Sequence, residues 1–359
     1  MSLFEHNILD PVKEGLDKID TGLPIHLDKL SKYINYAERG KNIIIGGRPG
    51  SAKTSFMDHT YFLNVFKWWR DLGYDDEGEP IPHPTRPPIK FIYFNMRSSA
   101  RLKLQKLMCL YLKLEYDYVI DIPTLLNGVG KLYSLEDKHK RAIESASEFF
   151  DELEENMHMI NGPQTPSDIA NAVKRIMEEY GHRDGQGDYY FDEEHKGQYT
   201  MIYIDNTDNL LPESDGYSAM SADALEKRLG EYLDEFKSVY KTTNFVIKPS
   251  KISNSRILKD SEPSYKDLGN IGKVADVGLV TYNPFDENNN KYLNYPVEDL
   301  VIRGKNRFRT ITVVRNKLGT SNITVGLIFL GECGYVRESP HPNEETDFED
   351  FVGILRQLP

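Results

Sequence analysis

A glycine-rich segment that ends in lysine and threonine is the part of the sequence whose spacing points most directly to chemistry. It reads GGRPGSAKTS over residues 46–55 and follows the phosphate-loop pattern GxxxxGK(S/T), except that alanine replaces the last glycine. Successive backbone N–H groups and the amino end of the following helix present partial positive charge to a polyphosphate. The residues predicted to hold a nucleotide are Gly47, Arg48, Pro49, Gly50, Ser51, Ala52, Lys53, Thr54 and Ser55.

Three residues of this loop have distinct expected roles. Lys53 is expected to reach the β- and γ-phosphates of ATP, and the hydroxyl of Thr54 is expected to ligate Mg²⁺. Ala52 stands where glycine would supply a positive φ, and a Cβ disfavours that conformation, so some loss of nucleotide affinity is expected. A strand-to-helix turn that binds no ligand is the alternative interpretation of the loop.

A carboxylate at the end of a later apolar run is the second candidate. Asp205 closes the run TMIYID at 200–205, which reads as a buried strand. A strand that ends in Asp supplies the carboxylate that a magnesium site beside a phosphate loop needs. Many strands end in Asp at a turn, so the assignment depends on the loop. Thr54 and Asp205 are therefore the predicted metal-binding residues.

The elements that must position these residues alternate between strands and helices. Compact apolar runs predict strands at 42–46, 90–94, 200–205, 244–247, 277–281, 310–314 and 323–330, the last two joined by a turn around Gly319. Helical spacing predicts helices at 54–70, up to about 114, and at 136–156, 166–180 and 221–240. The alternation predicts an α/β fold in which helices flank a mostly parallel sheet.

The chain is expected to form one large domain with additions at both ends. Residues 1–20 have the spacing of a short amphipathic helix, which predicts a linker that docks on a neighbouring subunit. The core domain is expected to span 21–335, with polar insertions near 72–89 and 181–198. Residues 336–359 are rich in acidic side chains and are predicted to be a solvated tail.

Composition limits the classes of protein to which the chain can belong. It has 44 Lys+Arg against 56 Asp+Glu, a formal net charge of −12, which argues against indiscriminate coating of nucleic acid but allows a local basic channel. No apolar run is long enough to span a membrane, and the first residues lack a secretory pattern. Cys109 and Cys333 are too few for a disulfide scaffold and fit a reducing compartment, so a cytoplasmic location without a membrane partner is expected.

Taken together, the motifs resemble the RecA-like ATPase domain of DnaB-type replicative hexameric helicases, including phage-encoded ones. The phosphate loop and the terminal hairpin are the specific parts, and the resemblance covers about residues 15–335. The resemblance does not extend to the family's N-terminal helical domain. The segments that carry the resemblance are IDTGLPIHLDKL (19–30), GGRPGSAKTS (46–55), FIYFNMRSS (91–99), MIYIDNTDNLL (201–211), FVIKPSKIS (245–253), LGNIGKVADVGLVTY (268–282) and TVVRNKLGTSNITVGLIFLG (312–331).

The resemblance implies a P-loop core with a C-terminal β-hairpin that binds ATP and Mg²⁺ between the subunits of a ring, expected to be a hexamer. It also implies action on single-stranded DNA in replication or recombination with replication or phage partner proteins, in the host cytoplasm if the protein is phage-encoded. Arg315 and Lys317 in the hairpin would reach the nucleotide of the neighbouring subunit. Basic residues in loops that would line the channel are Lys251, Arg256, Lys259, Lys266 and Lys273. A solvated charged surface explains these five residues equally well.

Several positions depart from the family's pattern. Arg97 best matches the catalytic glutamate, and a guanidinium cannot accept a proton; an alignment shifted by one residue would place Met96 there. Asp208 is the nearest remaining carboxylate after the strand. Lys251 replaces the usual sensor glutamine, and Lys317 replaces the arginine finger. These changes predict slow hydrolysis, or a degenerate member that uses nucleotide only to hold an assembly. A recombinase or KaiC-type ATPase on the same core is the third interpretation.

Overall fold

The computed structural model describes six stretches of the chain, and nine strands within them share one sheet. The described residues are 22–34, 37–74, 86–214, 218–250, 262–287 and 290–357. The docking segment predicted at 1–20 lies outside them, as do most of the predicted nucleic-acid-binding residues. Those outside are Lys251, Arg256 and Lys259.

The sheet is parallel over its larger part and antiparallel at one side. Its strands in chain order are β1 (Asn42–Gly47), β2 (Ile89–Asn95), β3 (Met157–Asn161), β4 (Tyr199–Asp205), β5 (Thr243–Pro249), β6 (Val277–Tyr282), β7 (Phe308–Asn316), β8 (Ile323–Leu330) and β9 (Tyr335–Glu338). They are ordered β9-β8-β7-β6-β1-β5-β4-β2-β3, with β6 to β3 parallel and β7, β8 and β9 antiparallel. The predicted α/β fold with a mostly parallel sheet and a C-terminal hairpin is confirmed.

Helices cover both faces of the sheet. They are α1 (53–71, with Asp58–Leu63 in π-helical form), α2 (Ala100–Tyr116), α3 (Ile122–Leu125), α4 (Asp137–Ser145), α5 (Ser147–Glu155), α6 (Pro166–Glu178), α7 (Ala222–Val239) and α8 (Glu345–Leu355). One apolar layer joins the sheet to α1, α2 and α5, and a second joins the other face to α6 and α7. Because both faces are covered, β1 consists of apolar residues and glycine after its first position and is buried throughout. No helix of the described stretches is long and apolar enough to cross a membrane.

Strand β3 and three small hairpins of the described residues were not expected from the sequence; two of the hairpins pair Lys291–Tyr292 with Tyr295–Pro296 and Val301–Ile302 with Lys305–Asn306. Strand β3 lies at the sheet edge and is only half-buried, so its MHMIN sequence lacks the strong apolar run that identified the inner strands. The polar insertion at 181–198 contains a hairpin in which Gly181–Arg183 pairs with Tyr189–Phe191. The insertion predicted at 72–89 is described only at its two ends.

The segment 336–359, expected as a solvated acidic tail, differs from that expectation in the structure. Its first residues complete β9, which pairs with β8, and α8 packs against a third apolar cluster. Four residues of α8 at helical spacing enter this cluster: Phe348, Phe351, Val352 and Leu355. Acidic residues occupy the opposite face of the helix, so the count of charges concealed an amphipathic pattern.

We predict that Phe351→Ala lowers the free energy of unfolding by about 3–5 kcal/mol, because it empties a buried site between α8 and the third cluster. Ile354→Ala is the matched control, since Ile354 lies on the same helix with 55% of its surface exposed, and its effect should stay within about 0.5 kcal/mol. Urea unfolding of both variants measures the difference. Equal, small effects would show that α8 is not part of the folded core.

Candidate nucleotide-binding site

The carboxyl ends of β1, β2 and β4 meet at one cavity of about 700 Å³. The loop after β1 and the start of α1 form one wall, and the residues that follow β2 and β4 form another. This is the edge at which parallel α/β sheets bind ligands, because strand ends and helix amino ends converge there. Predicted site residues that line the cavity are Pro49, Gly50, Ala52, Lys53, Thr54, Ser55 and Asp205.

The phosphate loop leaves β1 through a glycine that no other residue could replace. Gly47 has φ 142°, and a Cβ there would lie 2.4 Å from the carbonyl oxygen of Thr281 on β6. The Ser51 hydroxyl lies 2.8 Å from the hydroxyl of Thr281 and donates to the carbonyl of Arg48 at 2.8 Å. The loop is therefore held closely against β6 before α1 begins.

The alanine that departs from the motif adopts the backbone conformation that the motif requires. Ala52 has φ 71° and ψ 23°, in the left-handed region, directly before the first residue of α1. A residue with a Cβ pays about 1–2 kcal/mol for this conformation. The prediction that the position needs a positive φ is confirmed, and the loop keeps its shape despite the substitution.

Lys53 is a buried ammonium at the amino end of α1. Its residue is 8% exposed, and its Nζ donates to the carbonyl of Arg48 at 2.6 Å. Burial and, to a smaller extent, the nearby charge of Arg97 lower the pKa of Lys53 to about 8, against the opposing effects of Asp205 and Asp208. An anion brought into the cavity would stabilise the charged form of this lysine.

Thr54 and Asp205, the two predicted metal-binding residues, are in contact. The hydroxyl of Thr54 donates to Oδ1 of Asp205 at 3.3 Å. Burial raises the pKa of Asp205, and the charge of Asp58 adds to this, whereas Lys103, Thr54 and Arg97 favour the ionised form. The structure thus brings a hydroxyl and a carboxylate together beside Lys53, as the sequence predicted.

An arginine and an aspartate lie near the position at which a catalytic glutamate was expected. Arg97 follows β2, is exposed and lines the cavity, and Asp208 lines it from the segment after β4. Asp208 lies 3.7 Å from Nζ of Lys248, which is the last residue but one of β5 and is paired with Glu226 at 2.5 Å. Sequence analysis did not assign Lys248 to the site, because nothing in the spacing pairs it with Glu226.

Arg309 is a second residue that sequence analysis did not assign to the loop. It lies on β7 and is buried, and its Nε donates to the carbonyl of Gly50 at 3.0 Å. Burial lowers its pKa to about 10. The approach of β7 to the phosphate loop across β6 depends on the sheet order, which a single sequence does not reveal.

Arg315 and Lys317 lie at the far end of β7, toward the amino end of β1, whereas Lys53 follows the carboxyl end of β1. Lys317 donates to Oδ1 of Asp276 at 2.6 Å, and Oδ2 of Asp276 accepts from the backbone N–H of Asn42, the first residue of β1, at 2.8 Å. Arg315 donates to the hydroxyl of Tyr265 at 3.1 Å. Lys317 thus lies near the amino end of β1, and neither Arg315 nor Lys317 lines the cavity of its own chain.

Two of the predicted nucleic-acid-binding residues are described, and both are exposed. Lys266 lies in the short helix Tyr265–Leu268, and Lys273 lies in the next one, Asn270–Val274. Tyr265 is itself 38% exposed and has the guanidinium of Arg315 5.5 Å from its ring centre. Basic and aromatic side chains are thus both accessible in these two short helices.

We predict that Ala52→Gly raises the free energy of unfolding by about 1 kcal/mol, because glycine adopts φ 71° without the penalty that a Cβ carries. Ala172→Gly, in the interior of α6, is the matched control and should lower it by about 0.5–1 kcal/mol. Chemical denaturation measures both. A loss of stability in the first variant would mean that the loop has another conformation.

Comparison with known proteins is informative for the fold alone. No protein-family model and no curated protein matches the chain. Among solved structures, the ATPase domain of G40P matches with a TM-score of 0.63 and 13% identity, over 95% of this chain and 100% of that one. A DnaB-like replicative helicase, studied with its interactions with primase, matches with a TM-score of 0.60 and 13% identity, over 94% of this chain and 67% of that one. The chain has the RecA-like fold of the ATPase domains of DnaB-like helicases.

Proposed function

We propose that the chain is an ATP-binding motor domain that acts on single-stranded DNA, in replication or recombination, as a ring-forming helicase or translocase. The observation that carries the proposal is the meeting of Lys53, Thr54 and Asp205 at the carboxyl edge of the sheet. The RecA-like fold shared with DnaB-like ATPase domains supports it.

The residues present fit ATP with Mg²⁺. Lys53 offers an ammonium to the phosphates from a loop that lines the cavity at the amino end of α1. In the described part of the chain, no three His, Cys, Asp or Glu side chains are grouped to hold a metal unaided. Mg²⁺ bound to phosphates needs only one or two protein ligands and keeps several waters. Thr54 and Asp205 would supply these contacts, and the ion would neutralise charge on the β- and γ-phosphate oxygens.

Hydrolysis is expected to be slow because the cavity lacks an evident base in the usual place. Arg97 can stabilise negative charge on a phosphate but cannot deprotonate a water. Asp208, the nearest other carboxylate, is paired with Lys248. The chain therefore retains groups that bind phosphates while the group that activates water is altered.

The positions of Arg315 and Lys317 support assembly into a ring, which we take to be a hexamer. Neither residue lines the cavity of its own chain, and Lys317 lies near the amino end of β1, so the nucleotide they would meet is one that another copy holds. Lys317 is paired with Asp276 in its own chain, and contact with a phosphate would replace this ion pair. Arg315 and Lys317 of one copy would then complete the nucleotide site of the next copy.

Three exposed residues, Lys266, Lys273 and Tyr265, belong to the proposed surface for single-stranded DNA. Lysines contact phosphates without reading sequence, and an exposed aromatic ring stacks on bases. A negative overall charge requires that the attraction be local. The proposal places the protein in the cytoplasm, or in the host cytoplasm if a phage encodes it, with replication or phage proteins as further partners.

We predict that ATP binding depends on Lys53 and is accompanied by proton uptake. Lys53→Ala should weaken binding by about 1.5–3 kcal/mol through loss of a charge-assisted contact. The pKa of Lys53 is about 8 without ligand and rises beside phosphate, so binding at pH 8 should take up about half a proton, and almost none at pH 6.

Calorimetry in buffers of different ionisation enthalpy measures this uptake. Lys53→Arg is the control, because a guanidinium stays charged throughout this range and should abolish the uptake. Equal ATP affinities for the original protein and Lys53→Ala would contradict the phosphate-loop assignment.

We predict ATP turnover well below that of ordinary P-loop motors, and an increase of up to about 100-fold in Arg97→Glu, which restores an acid that can orient water. Arg97→Gln removes the cation without adding a base and should not reproduce the gain. Turnover is measured with and without single-stranded DNA. Brisk DNA-stimulated turnover of the unmodified protein would show that another group, such as Asp208, activates the water.

A second candidate function, a degenerate domain that uses nucleotide only to hold an assembly, is favoured by Arg97 in the cavity wall. It differs from the first in one observable. ATP would bind and change the assembly mass in light scattering, while Arg97→Glu would leave turnover undetectable.

A further inference from the structure

A buried ion pair forms part of the cavity that holds the predicted magnesium ligands. Lys103 of α2 is 1% exposed and Asp58 of α1 is 5% exposed, and both line the cavity. Nζ of Lys103 donates to Oδ1 and Oδ2 of Asp58 at 2.7 and 2.6 Å. Burying two charges is costly, and an apolar pair of similar volume would pack at least as well. The pair therefore calls for an explanation beyond stability.

Tyr93 fixes this ion pair to the sheet. Its hydroxyl donates to Oδ1 of Asp58 at 2.8 Å and accepts from Nζ of Lys103. The ring of Tyr93 on β2 stacks on that of Tyr203 on β4, with centres 5.4 Å apart and planes 11° apart. Three side chains from α1, α2 and β2 thus form one closed network, which we call the Asp58–Lys103–Tyr93 cluster.

The cluster lies beside both predicted magnesium ligands. Thr54, which donates to Asp205, is four residues before Asp58, so the two project from the same side of α1. Asp205 ends β4 directly beside Asn95 at the end of β2, the strand that carries Tyr93. The charge of Lys103 acts on the Asp205 carboxylate, and its attraction is larger than the repulsion from Asp58.

The helix itself is altered where it meets the cluster. Asp58 begins the π-helical turn of α1, in which the backbone N–H of Asn64 bonds to the carbonyl of His59, five residues earlier. Such turns are rare and occur frequently at functional sites. The turn also places Tyr61 beside Tyr203. The hydroxyl of Tyr203 donates to the carbonyl of Tyr61 at 2.6 Å.

We infer that Lys103, anchored by Asp58 and Tyr93, is a positioning residue that holds Asp205 and Thr54 in the arrangement that binds Mg²⁺ with the nucleotide. The inference rests on the proposed function. The cluster acts behind the metal ligands, as outer partners of metal-binding side chains do, and loss of such partners typically lowers metal affinity about 10- to 100-fold.

The test replaces the whole cluster by apolar residues of similar size, in the variant Asp58→Leu/Lys103→Met/Tyr93→Phe. Removing all three polar groups together leaves no buried group without a partner, so the fold should persist. The affinity for ATP is measured by calorimetry in EDTA and in saturating Mg²⁺. Mn²⁺ affinity in the presence of ATP is measured separately from the free-ion paramagnetic resonance signal.

The expected result is an unchanged ATP affinity in EDTA, because Lys53 and its loop are intact, with a Mn²⁺ affinity reduced about 10- to 100-fold. Glu213→Gln/Arg228→Met is the matched control. It removes an ion pair of 3.0 Å outside the cavity and should change neither quantity. A cluster variant with the original metal affinity would overturn the inference, and so would equal losses in EDTA and in Mg²⁺, which indicate a structural role only.

Tyr93→Phe decides the matter if the triple variant does not fold. It removes one hydroxyl and keeps the ion pair, so about a tenfold loss of Mn²⁺ affinity is expected, at the low end of the range. An unchanged affinity would overturn the inference. Failure of the proposed function is distinguishable, because the unmodified protein would then bind no ATP in either EDTA or Mg²⁺.

Discussion

Strand β1 is hydrogen-bonded on both sides and buried on both faces, and this constraint determines where the molecule can carry out chemistry. The backbone leaves the sheet at the carboxyl end of this strand. Gly47 passes so close to Thr281 there that no side chain fits. The same burial that fixes the loop lowers the pKa of Lys53 and raises that of Asp205. Both shifts oppose the charged forms, and an anion with its metal ion would favour them.

One antiparallel strand, β7, extends from the carboxyl end of β1 to its amino end. Strand β7 places Arg309 on the carbonyl of Gly50 in the phosphate loop, and eight residues later Lys317 lies on Asp276 near the amino end of β1. At about 3.4 Å per residue the two side chains are about 27 Å apart along the chain. In a ring of copies, the strand that touches one nucleotide would carry at its other end the residues nearest to the next. A shift of β7 would then alter both sites together.

The sequence alone predicted the inner strands and the phosphate loop. It did not predict the features that depend on which elements pair with each other in space. Runs such as NIIIG and TMIYID are apolar because both sheet faces are covered, so these runs alone located β1 and β4. The edge strand β3 is half-buried and lacked that signal, and the amphipathic pattern of α8 was hidden among acidic residues. Lys53, Thr54 and Asp205 came from local motifs. Lys103 and Asp58 did not, because 45 positions separate them in sequence and only the packing of α2 on α1 joins them.

The pairing of β1 has a consequence for the way in which the chain is made. Its two neighbours are β5 and β6, so Asn42 lies opposite Asn244 and Ile43 lies opposite Val277. A ribosome that adds about 5–20 residues per second needs roughly 10–50 s to pass from the first of these partners to the last. During that interval the nascent chain presents an unpaired apolar strand followed by an aromatic helix. Such long-range pairings also slow folding itself, so the phosphate loop is synthesised well before the strands that flank β1 and takes its shape only after them.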